Sequence, residues 1–160
     1  MDKPYRKCVG IVVFNSEGKV LVGERIGMEN NWQFPQGGID KEEIPIEAAK
    51  RELFEEVGIQ DGEMVYEHEE WLSYDFPSYI SGKKFKKFRG QTQKWFLVYW
   101  NRPVEDCILD GHEPEFSALQ FIPLQNSLET VVEFKREVYE KLIEAFEPKI
   151  HSFLEMKKKL

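Results

Sequence analysis

Apolar positions along the first third of the chain fall into short runs separated by turn chemistry. Val9 to Phe14 is a β-branched apolar run, Asn15-Ser16-Glu17-Gly18 favours a turn, and Val20-Leu21-Val22 follows, so residues 9–23 predict a hairpin. Trp32-Gln33-Phe34 predicts a further short strand, ended by Pro35 and the Gly37-Gly38 pair. The pattern then predicts a helix from Pro45 to Val57. Pro45 suits the first helical position, Glu47 the positive end of the dipole and Gly58 the site just past the end, although Ile44 is a poor N-cap. Residues 64–75 and 93–100 predict longer strands, and Ala118 to Ile122 a shorter one. Leu128, Val131, Val132, Val138, Leu142 and Phe146 recur at helical spacing, which predicts a last helix over about 127–146 and a tail over 147–160. Asn126 or Ser127 is its candidate cap, with Glu129 placed as in a capping box. Hairpins and two helices in one chain predict an α+β fold, a mixed β-sheet with helices packed on its faces.

The length, 160 residues, suits one domain over 1–160. Hydrophobic residues at 41% and aromatics at 14% exclude a disordered chain. Cys8 and Cys107 lie far apart and form no C-x-x-C pair, so they read as reduced thiols and signal neither a disulfide framework nor a zinc ribbon. No apolar run approaches the ~18 residues of a membrane span. The charged N-terminus lacks the apolar stretch of a secretory signal, so a cytoplasmic location is expected.

A net charge of −7 excludes a uniformly basic nucleic-acid coat protein. The charge is unevenly spread. Phe76 to Pro103 holds seven Lys or Arg and no acid, which leaves −14 on the rest of the chain. Lys83 to Arg89 interleaves Phe85 and Phe88, as a polyanion with exposed bases would favour. A solvated loop that blunts a sheet edge accounts for the same charges equally well.

The predicted helix 45–57 carries the most informative chemistry. With Glu52 as origin, Glu56 lies about 40° to one side and Glu55 about 60° to the other, so three carboxylates share one arc. Ile46, Ala49, Leu53 and Val57 occupy the neighbouring arc and supply a core face. Like charges on adjacent turns repel, more so where solvent is partly excluded, and hard divalent cations prefer such carboxylate oxygens. Taken alone, three glutamates read more readily as a solvated acidic stripe. The wider spacing reverses that. Gly37, five residues, Glu43, seven residues, Arg51-Glu52-Leu53, one residue, Glu55-Glu56, one residue and Gly58-Ile59 define nine residue types or classes across 23 positions.

This segment, 37–59, resembles the signature of the Nudix hydrolases at every defined position. The likeness extends beyond it through Tyr5-Arg6, Trp32-Gln33-Phe34-Pro35-Gln36, Trp71-Leu72 with Tyr74, Gly90-Gln91, Gln93 to Phe96, Pro114-Glu115-Phe116 and Phe134-Lys135-Arg136. Together these resemble the bacterial RNA pyrophosphohydrolases, a group also described as dinucleoside polyphosphate hydrolases.

The resemblance implies an α/β/α sandwich, with the mixed sheet between helices, and metal-dependent hydrolysis of a phosphoanhydride with Mg2+ or Mn2+. Glu52, Glu55 and Glu56 match the family's metal-binding acids, Glu115 a further acid outside the signature, and Gly37 a backbone position close to metal or phosphate. Glu56 or Glu115 is the candidate proton acceptor, and Glu52 also belongs to the catalytic set. Arg6, Arg25 and Lys135 match basic residues that contact substrate phosphates, and Phe134 an aromatic on which a nucleobase stacks. Arg51, four residues before Glu55, can pair with it, while Glu43 and Gly38 have structural parts around the loop. The implied substrate is the 5′ end of triphosphorylated RNA, with transcript decay as the consequence. A dinucleoside polyphosphate such as diadenosine tetraphosphate, and free nucleoside triphosphates, remain alternatives, as does a catalytically silent nucleotide-binding module. No protein partner is implied.

Overall fold

The fold is described from a computed structural model, which describes residues 3–80, 82, 87–109 and 114–160. Strands β1 (Tyr5–Phe14), β2 (Lys19–Arg25), β3 (Trp32–Gln33) and β4 (Gln36–Gly38) precede helix α1 (Pro45–Val57). Strands β5 (Glu63–Glu67), β6 (Leu72–Asp75), β7 (Gly90–Tyr99) and β8 (Phe116–Pro123) follow, then helices α2 (Ser127–Thr130) and α3 (Arg136–Lys158). The strands form one mixed sheet with the central order β3-β2-β1-β7-β5. β1 and β7 run parallel in register from Tyr5 opposite Gly90 to Phe14 opposite Tyr99. β4 pairs antiparallel with β1, β6 with β7 and β8 with β2.

Strand alternation divides the core between the two sheet faces. Val9, Ile11 and Val13, Leu21, and Phe96 and Val98 meet Ala48, Ala49, Leu53 and Val57 of α1. The intervening residues, Val12 and Phe14, Val20 and Val22, and Trp95 and Leu97, meet Val138, Leu142, Phe146, Ile150 and Phe153 of α3. Each sheet face thus takes one amphipathic helix, which is the predicted α/β/α sandwich.

α1 has the predicted limits. Ile44 makes no side-chain cap bond, Pro45 occupies the first turn, and Gly58 terminates the helix in the left-handed conformation (φ 74°) with its N–H on the Phe54 carbonyl. The segment predicted as one strand over 64–75 is two. β5 pairs with the far end of β7 and β6 with its beginning, and the polar run His68-Glu69-Glu70 lies between them. β1 and β7 begin earlier than the apolar runs indicate, at Tyr5 and Gly90. The Gly37-Gly38 pair, expected only to end the strand at 32–34, belongs instead to a strand of its own, β4, held against Cys8, Val9 and Gly10.

The C-terminal helix departs from its predicted limits of about 127–146. The β-branched pair Val131-Val132 is extended (φ −81°, ψ 150° at Val131; φ −61°, ψ 147° at Val132), so the chain breaks after α2. Neither Asn126 nor Lys135 makes a side-chain cap bond, and Ser127 Oγ donates backward to the Leu124 carbonyl. A 3-10 turn over Glu133–Lys135 leads into α3, which runs on through Pro148 to Lys158. The expected tail is therefore mostly helix. Ile150 and Phe153 extend the apolar stripe, and Phe153 meets the Phe14 ring edge-on at 5.5 Å, which offsets the hydrogen bond Pro148 cannot donate.

Neither Cys8 nor Cys107 is in a disulfide. Among the described residues no helix is long and apolar enough to cross a membrane.

Candidate active site

The acids of α1 lie where its N- to C-terminal course passes β4. A Cβ on Gly37 would stand 2.0 Å from the carboxyl carbon of Glu52, so only glycine lets that carboxylate lie against the strand backbone. One residue back, the Gln36 N–H donates to Glu56 Oε2 at 3.1 Å, while Glu56 Oε1 is buried without a partner. Glu115, at the entry to β8, comes in from the other side and contacts Glu56. Three of the sequence-predicted acids, Glu52, Glu56 and Glu115, thus interact directly although 63 residues separate Glu52 from Glu115.

Burial dominates their electrostatics. Glu52 is pushed up to about 7 chiefly by desolvation, with Glu55 and Glu115 adding to the rise and Arg51 opposing it. Glu56, 5% exposed, is raised well above the ordinary carboxyl value, first by desolvation and then by Glu115 and Glu52. Carboxylates kept this dry and this close hold protons unless something positive joins them.

Arg51 supplies part of that charge. Its Nη1 donates to Glu52 Oε1 at 2.9 Å and Glu55 Oε2 at 3.1 Å, its Nη2 to the Gly38 carbonyl at 2.8 Å, and Nε and Nη2 grip Glu43 at 2.9 Å each. Glu43 also accepts the Asp40 N–H at 2.9 Å, so the loop before α1 is tied to the helix through one guanidinium. The Arg51 bond holds the Glu43 carboxyl below its usual range. Among the described residues no three acidic, histidine or cysteine side chains converge on one point as a cation cage, and Arg51 pairs with Glu52 and Glu55.

These groups border a cavity of about 480 Å³ that also reaches Arg6, Arg25 and Gln91. Gly38 makes room for Arg6, whose Nη2 would lie 2.4 Å from a Cβ there. Arg25 faces Glu115 at 3.6 Å. Behind the cavity lies a buried amide chain: Gln93 Nε2 donates to Gln36 Oε1 and Gln91 Oε1 at 3.0 Å each, and Trp95 Nε1 donates to Gln93 Oε1 at 3.2 Å. Gln36 also bonds Tyr74, and burial raises the Tyr74 hydroxyl pKa above its usual value.

The NUDIX domain profile matches residues 4–142, the greater part of the chain. The chain belongs to the Nudix family. The RNA pyrophosphohydrolase of Bartonella clarridgeiae is 43% identical over 89% of this chain and 90% of its own length. That of Roseobacter denitrificans is 44% identical over 90% and 92%. Among solved structures, the Escherichia coli dihydroneopterin triphosphate pyrophosphohydrolase superposes with a TM-score of 0.68 at 17% identity, covering 89% of this chain and 99% of that one, and so shares the fold.

Against this Nudix frame, the signature residues Gly37, Gly38, Glu43, Arg51, Glu52, Glu55 and Glu56 form one connected cluster, with Arg6, Arg25 and Glu115 around the same cavity. Phe134 and Lys135 do not border it. They lie in the 3-10 turn before α3, where the Phe134 ring is 5.6 Å from that of Tyr74, and Lys135 Nζ is 5.7 Å from Tyr74 and 3.0 Å from Gln33 Oε1. Their link to the acids runs through Tyr74 and Gln36. Of the basic segment 83–89, Lys83, Lys84, Phe85 and Lys86 lie outside the described residues, while Arg89 pairs with Asp75 at 2.8 Å and covers the Tyr5 ring.

The residue reading missed the amide chain and the apolar rim of the cavity, Phe54 and Ile108. Gln91 and Gln93 did carry a signal. Two amides at i and i+2 in a strand that turns aromatic and apolar point to the same face, and a buried polar pair there calls for polar partners.

Proposed function

We propose that this chain removes pyrophosphate from RNA bearing a 5′-triphosphate, leaving a 5′-monophosphate end, and so commits transcripts to decay. The observation that carries this reading is identity of 40% to 44%, sustained over about nine-tenths of both chains, with RNA pyrophosphohydrolases of several bacteria.

The donor set fits Mg2+ or Mn2+, since both take hard carboxylate oxygens together with substrate phosphates. Two features of the fold support that fit: the partnerless buried Oε1 of Glu56, and the bare backbone of Gly37 beside Glu52. Glu52, Glu55, Glu56 and Glu115, with the Gly37 backbone, would hold the ion. A bound divalent ion supplies a lowered pKa for water and charge neutralisation on the phosphates.

The chain's own residues supply the rest. Water attacks a phosphorus of the 5′ polyphosphate in line, a P–O bond forms, and the bridging P–O bond to the departing pyrophosphate breaks. Glu56 or Glu115 takes the proton lost by that water. Arg6, Arg25 and Lys135 contact the phosphate chain, and Phe134 offers a ring to a nucleobase. Arg51 fixes the orientation of Glu52 and Glu55 and couples them to Glu43.

Specificity constants for 5′-triphosphate RNA, diadenosine tetraphosphate and free nucleoside triphosphates under one Mn2+ concentration test the reading. The RNA is expected to be the best substrate, with pyrophosphate released. A higher constant for diadenosine tetraphosphate would reassign the substrate, and no turnover of any of the three would leave a binding module.

A further inference from the structure

The cavity that holds the acids changes chemistry along α1. Arg6 sits beside Gly38, level with Arg51, whose Nη2 bonds the Gly38 carbonyl at 2.8 Å. Glu56 stands next along, on the Gln36 N–H. Beside the acids Glu55 and Glu56, the lining also takes in apolar groups, Phe54, Gly58 and Ile108. Phe54 is 49% exposed and Ile108 54% exposed, so neither owes its place to core packing. Ile108 is nonetheless fixed: its N–H bonds the Val57 carbonyl at 2.9 Å, and its Cβ lies 2.8 Å from where a Gly58 Cβ would be. An apolar rim that shares one cavity with the acids and with Arg6, and that has Ile108 fixed by a backbone bond, matches the polarity of a nucleotide. Its phosphates are anionic and its base presents an uncharged π-face.

We propose that Phe54 and Ile108 seat the 5′-terminal nucleoside of the substrate, with its phosphates running back along α1 toward Arg6. This rests on the RNA reading above. Phe134, across the sheet on the α3 side, is then left for a following base. The seat makes Phe54 a specificity-determining residue that acts on the nucleoside and on no bond that breaks.

A base-deletion cycle tests it. Wild type and Phe54→Ala are assayed with Mn2+ on a triphosphorylated RNA oligonucleotide whose 5′-terminal nucleotide is either intact or abasic. Stacking on an aromatic predicts that losing the base costs the wild type about tenfold in kcat/KM, mostly through KM, and costs Phe54→Ala less than about twofold. Phe54→Trp should restore the wild-type sensitivity. Ile108→Ala, a change outside the core, should give the same loss of sensitivity in smaller measure, and a circular dichroism melt verifies that each variant is folded. Equal losses on base removal in wild type and Phe54→Ala, or a Phe54→Ala rate on intact RNA equal to wild type, would overturn the seat while leaving the RNA reading intact. A folded wild type that does not process the intact RNA would overturn that reading and the seat with it.

Discussion

Replacing Glu52 by Gln separates what the acidic site does for catalysis from what it costs the fold. The Glu52 side chain is 12% exposed and its carboxyl pKa rises from 4.5 to about 7. The folded state therefore binds this proton more tightly than the unfolded state between those values. The Glu52 contribution to stability is then fully favourable below about pH 4.5, falls as pH rises to about 7, and is flat above that. A shift of that size corresponds to about 3 kcal/mol between the two protonation states. Solvent screening at the cavity mouth leaves about 1–2 kcal/mol of it in the measured stability. For a chain this long, that is roughly 3–6 °C in Tm. Gln keeps the shape, carries no charge to desolvate and leaves Arg51 with Glu43 and Glu55. In EDTA, Glu52→Gln should melt close to wild type at pH 5 and several degrees above it at pH 8.5, with turnover lost. Melting curves whose difference does not change between pH 5 and pH 8.5 would refute the claim that burial sets the Glu52 charge.

Four further outcomes are expected. Glu56→Gln should keep the fold and lower kcat by about 10²–10⁴ at saturating Mg2+ or Mn2+; wild-type turnover under those conditions would remove Glu56 from the site. Gly37→Ala places a methyl 2.0 Å from the Glu52 carboxyl carbon, so the carboxylate must move, and kcat should fall by about a hundredfold in a steady-state assay. Phe134→Ala should raise KM for RNA by roughly tenfold while a Mn2+ titration followed by electron paramagnetic resonance stays unchanged, and an unaltered KM would return Phe134 to a packing role. Phe153→Ala should cost about 3–5 kcal/mol in urea denaturation without altering the rate per folded molecule, since Phe153 packs on Phe14 and Tyr99 far from the acids.

The parts of the fold legible in the sequence are those where local pattern and tertiary packing agree. α1 is the clearest: Pro45, the apolar arc through Leu53 and Val57, and Gly58 all give the same limits that packing against β1 and β7 enforces. Where packing overrides local chemistry, the pattern misleads. Gln36-Gly37-Gly38 has the composition of a turn, yet it is recruited as a strand because its backbone completes ladder bonds with β1. Pro148 reads as the end of a helix, yet the apolar contacts of Ile150 and Phe153 carry α3 past it. Helical geometry alone puts the acids of α1 on one arc, while their metal-binding role and that of Glu115 follow from the resemblance. No residue pattern places Glu115 beside Glu56, because that depends on β8 pairing with β2, a long-range contact that no local window contains.

The same contrast explains why the site is built from strand backbone as much as from side chains. Three acids cannot share a largely buried site unless their repulsion is met, because solvent screens it only in part there. Arg51 meets part of it at Glu52 and Glu55 but makes no bond to Glu56, whose Oε2 relies on the Gln36 N–H and whose Oε1 is buried without a hydrogen bond beside the like-charged Glu115. The fold therefore holds one carboxylate oxygen in an unfavourable state, and it can do so because β4 is pinned to β1 beneath it and Gln36 is pinned by Gln93 behind it. A divalent cation joining that oxygen would be stabilised by the cost already incurred in folding. It follows that Mn2+ addition, which takes the place of the proton on this carboxyl, should raise Tm by a large step in wild type and a small one in Glu56→Gln. This coupling ties the buried arrangement of the site to its use of a phosphate-bridging ion.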